Sequence, residues 1–183
     1  GIEPLIGTQV FYHPSVDACW VEQILPNANV AHIVVNGGDE AAVQAVVDAA
    51  QLPQLAPAKI TLLHRRDQFS APQALLDALA ALRTSGRVQV VIGMPQALQF
   101  TKNDSYQSAL DHRMQAMGYI DAEGQDQQLP CSQLWVYQGI SPKLGPLLDW
   151  GLDIEKKQLQ VATDTFATNA AGIYAAGDIV TYP

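Results

Sequence analysis

Ala31-His32-Ile33-Val34-Val35-Asn36-Gly37-Gly38-Asp39-Glu40-Ala41-Ala42 decides the fold of this chain. Ala31 to Val35 is a short apolar run that reads as a buried strand, and it stops at a pair of glycines. Asp39 to Gln51 follows with alanines and valines at helical spacing, opened by carboxylates that suit a helix N-terminus. Lys59 to Leu63 is a second apolar run. Strand, helix and strand make a βαβ unit, whose crossover should be right-handed. The small residues at its turn let backbone N–H groups and the helix dipole meet a pyrophosphate.

The end of the second strand indicates which dinucleotide. In this geometry an acidic residue there accepts from the ribose 2′-hydroxyl, whereas a 2′-phosphate needs cationic partners. Here the strand ends in His64-Arg65-Arg66-Asp67, so the expected cofactor is NADPH. Gly38 and Ala41 hold the second and third positions of the G-x-G-x-x-G/A pattern, where they let the pyrophosphate approach and the helix pack on the strand. Asn36 holds the first, and asparagine is among the non-glycine residues most tolerant of positive φ. Gly37, Asp39 and Glu40 complete the candidate turn, the two carboxylates reading as helix-end groups, with Glu40 set to repel a pyrophosphate. His64 is open between an adenine-ribose contact and an ordinary strand-end histidine.

Residues 1–29 contain Pro4, Pro14 and Pro26, which break any long element, and a strand candidate from Thr8 to Tyr12; this stretch is expected to be a lead-in segment or interdomain linker. Pro72 suits an early helix position ahead of Leu75, Leu76, Leu79 and Leu82, a 3.6-period stripe with Gly86 as its stop. Arg87 to Gly93 is β-rich. From Met94 to about Gln128 the pattern turns polar, with turn signals at Lys102-Asn103-Asp104 and Ala122-Glu123-Gly124, which suits a meander of short antiparallel strands lying over the sheet. Gln133 to Tyr137 is a compact strand, Gly145 to Trp150 a turn or two of helix, and Gly151 to Thr163 a hairpin about Glu155-Lys156-Lys157. The expected fold class is α/β: a Rossmann-like NAD(P)-binding domain with an antiparallel β-meander.

The 183 residues, 48% hydrophobic, suffice for one well-buried core. Ten Lys+Arg against 18 Asp+Glu give a net charge of −8, which argues against a general nucleic-acid surface and a polybasic membrane patch, and makes Arg65-Arg66 stand out. Cys19 and Cys131 are too few for a disulfide framework and lack Cys-x-x-Cys spacing, so neither a zinc site nor a local redox pair is indicated. His13, His32 and His112 show no metal-ligand spacing and read as structural. No run of about 18 apolar residues and no basic-then-apolar N-terminus occurs, which makes the cytoplasm the default compartment.

Thr168-Asn169-Ala170-Ala171-Gly172-Ile173-Tyr174-Ala175-Ala176-Gly177-Asp178-Ile179 strongly resembles the C-terminal flavin motif of the two-dinucleotide-domain flavoprotein reductases. Continued through Val180-Thr181-Tyr182-Pro183, it resembles the thioredoxin-reductase-like ferredoxin/flavodoxin–NADP⁺ reductases more than thioredoxin reductase itself. Val136-Tyr137-Gln138-Gly139-Ile140-Ser141-Pro142-Lys143-Leu144-Gly145-Pro146-Leu147 is similar to that family's second-domain exit strand, where Gly139 opens the turn beside the dinucleotide. With the glycine turn and His64-Arg65-Arg66, four motifs fall in the family's order.

The resemblance implies a flavoprotein oxidoreductase that passes hydride from NADPH to FAD and on to an external acceptor such as ferredoxin or flavodoxin. The family's flavin domain is discontinuous, its first part preceding the NADPH domain, and one glycine turn of that kind is present here. The implied organisation is an NADPH-binding domain over residues 30–165, inactive by itself, and at 166–183 the truncated start of the returning FAD-domain segment. Gly177 and Asp178 are then the stub of the flavin site, with FAD itself held only in the full-length parent. The thioredoxin-reductase branch carries Cys-x-x-Cys in the stretch matching about Phe11 to Trp20; Cys19 alone stands there, and a dithiol cycle needs one thiolate to attack and another to resolve. No residue here needs to act as acid or base, because the cofactors carry the electrons. Departures at Asn36, Glu40 and Ser70, the last where relatives often carry an arginine, feed an alternative: a degenerate dinucleotide-fold module with a binding or regulatory role and no turnover. A homodimeric parent and a small-molecule acceptor stay open.

Overall fold

Ile33, Val34 and Val35 are fully buried, as a strand paired on both edges and covered on both faces requires. The computed structural model describes residues 2–24, 30–101, 113–138, 144–155 and 157–181. In chain order the elements are β1 (Val10–Tyr12), α1 (Ala18–Ile24), β2 (His32–Gly37), α2 (Glu40–Gln51), β3 (Lys59–His64) and α3 (Gln73–Thr84). They continue with β4 (Val88–Thr101), β5 (Arg113–Asp121), β6 (Asp126–Pro130), β7 (Gln133–Tyr137), β8 (Ile154–Glu155), β9 (Gln158–Gln160) and β10 (Val180–Thr181). Two compact units divide the chain, Gly1–Gln138 and Gly139–Pro183.

In the first unit seven strands form one sheet in the order β1-β7-β2-β3-β4-β5-β6. The pairs from β1 to β4 are parallel, and Val35 sits in register between Leu62 and Trp135. Successive side chains point to opposite faces. Ile33, Val35, Ile60, Leu62 and Trp135 therefore pack with Ala42, Val43 and Val46 of α2, while Val34, Leu63, Leu134 and Val136 pack with Met114, Met117 and Leu129. The expected α/β class is the one found, and the strand candidate at Thr8–Tyr12 is β1, joined to the edge of β7. In α3, Leu79 is buried and Leu75 and Leu82 pack partly against the same core.

The meander differs from its sequence reading in one respect. Its strands are hydrogen-bonded to the main sheet, because β4, 14 residues long, continues from its parallel pairing with β3 at Val88–Ile92 into antiparallel pairing with β5 from Gly93. Register shifts between Pro95 and Leu98 and between Gln99 and Phe100 mark the irregularity, and bulges of this kind bend and twist a strand. The turn at Ala122-Glu123-Gly124 is held by the Asp121 carboxylate, which accepts from the Glu123 and Gln125 amides at 3.1 and 2.8 Å. Lys102-Asn103-Asp104, His112, Gly139 and Lys156 lie outside the described residues.

The second unit holds a 3-10 helix at Gly145–Trp150, the β8–β9 hairpin, and β10 parallel to β9 around Leu144, Leu152, Leu159, Val161 and Val180. Two residues of its C-terminal motif are structural. Asn169 donates to the Gly151 carbonyl and accepts from the Asp153 amide, both at 3.0 Å, and the Thr168 hydroxyl bonds the Ile173 carbonyl at 3.0 Å. Among the described residues no helix is long and apolar enough to cross a membrane.

Candidate dinucleotide site

The chain leaves β2 toward β3 on one side, while β7 lies on the other side of β2. In open parallel sheets such a switch in strand order opens a crevice at the carboxyl ends of the strands, where ligands bind. Gly37 and Gly38 stand at that end of β2, beside Tyr137 at the end of β7.

Both glycines are demanded by close approach. A β-carbon on Gly37 would lie 2.6 Å from the Tyr137 carbonyl oxygen and 2.7 Å from Ala42 Cβ. A β-carbon on Gly38 would enter the His64 imidazole. Neither glycine, nor Asn36, has positive φ; Asn36 is a buried residue of β2 paired in register with Leu63 and Val136. The positive φ that asparagine would have to tolerate in the first pattern position therefore does not arise. The helix-packing role expected of Ala41 falls to Ala42, which is buried on Gly37 while Ala41 is exposed. Asp39 is the N-cap of α2 and accepts from the Ala42 amide at 3.0 Å, and Glu40 is exposed in the first turn.

The end of β3 closes on this turn. His64 lies over Gly38 with the Phe69 ring 5.7 Å away, and the Ser70 amide donates to the Gly38 carbonyl at 2.8 Å. Burial, then the charges of Arg65 and Arg66, hold the His64 imidazole below its usual range, with Asp39 opposing. Arg65 and Arg66 are exposed, and among the described residues neither has a hydrogen-bond or ion-pair partner. Asp67 is paired with Arg83 at 3.1 Å, an exposed bridge worth little by itself.

On the other side of the crevice the Tyr137 hydroxyl donates to the Pro14 carbonyl, and the His13 ring lies edge-on to Tyr137 at 5.3 Å. Sequence reasoning missed Tyr137 and Phe69. Tyr137's position as the last residue of a strand beside the glycine turn was the available signal for the first. Gly177 and Asp178 belong to the second unit. Gly177 has φ 89° with open space where a β-carbon would go, and Asp178 is exposed with its carbonyl held by Gln158 at 3.0 Å. Cys19 and Cys131 are unpaired, and burial pushes the Cys131 thiol up to about 12, far from a thiolate at neutral pH.

A parallel sheet with a glycine turn at its switch point and cations at the next strand end is the architecture of a Rossmann-like α/β domain of the NAD(P)-binding class. The profile of the pyridine nucleotide-disulphide oxidoreductase family matches residues 4–183, and the chain belongs to that family. It is 48% identical over its full length to a ferredoxin–NADP reductase of Acidovorax sp. (strain JS42) and 42% identical to one of Verminephrobacter eiseniae (strain EF01-2). It spans about half of those relatives, 47% and 48%. Its fold is similar to that of Lactococcus lactis thioredoxin reductase, with a TM-score of 0.56 and 22% identity, covering 98% of this chain and 52% of that one.

Proposed function

We propose that this chain is the NADPH-binding part of a flavoprotein reductase that passes hydride from NADPH to FAD and on to ferredoxin or flavodoxin. The observation that carries the reading is the pair of exposed guanidiniums of Arg65 and Arg66, unpartnered among the described residues, next to a glycine turn at the switch point. In a chain of net charge −8, two such cations beside the turn suit a 2′-phosphate. The turn at Gly37, Gly38 and Ala41 then brings backbone N–H groups to the pyrophosphate at the α2 N-terminus, Asp39 and Glu40 border it, and Gly139, which follows Gln138 in sequence, is assigned to the nicotinamide half by the family resemblance. NADPH supplies the hydride when bound; the residues of this chain bind and orient it. Gly177 and Asp178 are this chain's contribution to the FAD site, and the names borne by the Acidovorax and Verminephrobacter relatives support ferredoxin as acceptor. The lack of a paired thiol supports an external acceptor over a local disulfide.

The degenerate-module alternative loses one of its supports, since Asn36 sits without strain in β2. Calorimetric titration with NADP⁺ and NAD⁺ at low and moderate salt separates the two readings. Selective NADP⁺ binding that falls by about 100-fold or more in Arg65→Ala/Arg66→Ala is expected, because a hydrogen bond from each guanidinium to the phosphate contributes about 1.5–3 kcal/mol. A folded chain that binds neither dinucleotide overturns the reading.

A further inference from the structure

His13, directly after β1, has φ 45°, in the left-handed region that residues other than glycine enter infrequently. Such a conformation persists only where its surroundings over-determine it. Here the His13 amide donates to the Val136 carbonyl at 2.9 Å, carrying the β1–β7 contact one residue past Tyr12. The ring Nε2–H donates to the Gln138 carbonyl at 3.1 Å. The contact is returned from β7, where the buried Tyr137 ring lies edge-on to His13 and its hydroxyl donates to the Pro14 carbonyl. His13-Pro14 and Val136-Tyr137-Gln138 thus form a reciprocal clasp across the ends of two parallel strands. The clasp reaches the glycine turn through main chain: a β-carbon on Gly37 would lie 2.6 Å from the Tyr137 carbonyl oxygen and 2.8 Å from its β-carbon, so no slack separates the end of β7 from the turn.

We propose that Tyr137 and His13 are positioning residues for the dinucleotide: clasped to each other's strand, they hold the end of β7 against Gly37 and so fix the β7 wall of the crevice for the half of the ligand beyond the pyrophosphate. The inference rests on reading the crevice as the NADPH site, in which Arg65 and Arg66 draw the adenine half to β3 and the other half falls to β7. The Tyr137 hydroxyl is committed to Pro14 and the His13 Nε2–H to Gln138, so both side chains act through the backbone they hold. A strand end already held in place loses less conformational entropy when a ligand docks on it than a loose one, and that difference appears as affinity. The adenine half, on the far side of the glycine turn, is indifferent to the clasp.

The test is calorimetry of the 183-residue chain, Tyr137→Phe and His13→Gly with NADP⁺ and with adenosine 2′,5′-bisphosphate, which keeps the adenine and the 2′-phosphate and lacks the nicotinamide half. Tyr137→Phe removes the hydroxyl that holds Pro14, and His13→Gly deletes the ring while accepting the positive φ without strain. Each variant is expected to bind NADP⁺ about 3- to 10-fold more weakly, the scale of one neutral hydrogen bond, and to bind the bisphosphate as the wild type does. A clasp that served stability alone would move the urea midpoint and leave the ratio of the two affinities where it was. In parallel, NMR of the wild type should show the His13 resonances shifting with NADP⁺ and not with the bisphosphate, a result that does not depend on the variants folding. An unchanged affinity ratio in folded variants, or His13 resonances that NADP⁺ leaves in place, overturns this inference alone. A wild type that does not bind NADP⁺ overturns the underlying reading and this one with it.

Discussion

Gly38 and His64 compete for one space, so substitution at either is felt at the other. Gly38→Ala drives a methyl into the imidazole and is expected to cost about 1–3 kcal/mol, the usual range for overpacking. The cost should shrink in a His64→Ala background, because residues in contact couple non-additively. A double-mutant cycle by urea unfolding checks this; equal costs in both backgrounds would show that the ring is not what excludes the methyl. The glycine turn was legible from Gly37, Gly38 and Asp39 because strand, small residues and helix start are contiguous in sequence. The reasons for the glycines were not. Tyr137 reaches Gly37 from a strand far along the chain, and His64 reaches Gly38 across a whole βα crossover, so no local pattern names either partner. Asn36 is a plain case: its place in the pattern suggested a left-handed turn, and its pairing with Leu63 and Val136 keeps it extended.

Helix α2 starts directly after that turn, and its first turn depends on Asp39. The carboxylate accepts from the Ala42 amide, and six apolar residues from Ala42 to Ala49 carry the helix onto the sheet. Asp39→Ala is expected to lower stability by about 1 kcal/mol, and Asp39→Asn by much less because the amide oxygen can still cap. Thermal unfolding of the two variants side by side checks the cap; equal losses would point to the charge. The parallel strands and both principal helices were legible because apolar runs and 3.6-residue stripes are written locally. The meander was legible only as turns and short strands. What makes β4 continue into it is a pair of register shifts around Pro95–Phe100, and their purpose, covering Val34, Leu63 and Val136, lies in other strands.

At the scale of the whole molecule, the two core clusters on either face of the sheet draw their buried members from residues 5–137, and the third draws its own from 144–180. The glycine turn, His64 and the paired arginines all belong to the first unit, with its seven-stranded sheet. Among its described residues the second unit has a core of five buried side chains and strands of two or three residues, too little apolar surface for much stability of its own. The expectation is that a chain ending at Gln138 folds cooperatively and keeps the NADP⁺ preference. Trp135 is fully buried in the first unit with Trp20 packed edge-on against it, and Trp150 is exposed in the second, so the change in tryptophan emission on unfolding chiefly reports the first unit. The urea midpoint of the buried-tryptophan signal should be the same in the shortened and full chains, and hydrogen exchange in the full chain should be faster across 144–181 than across β2, β3 and β7. A shortened chain that fails to fold would mean that the first unit's sheet depends on the segment after Gln138.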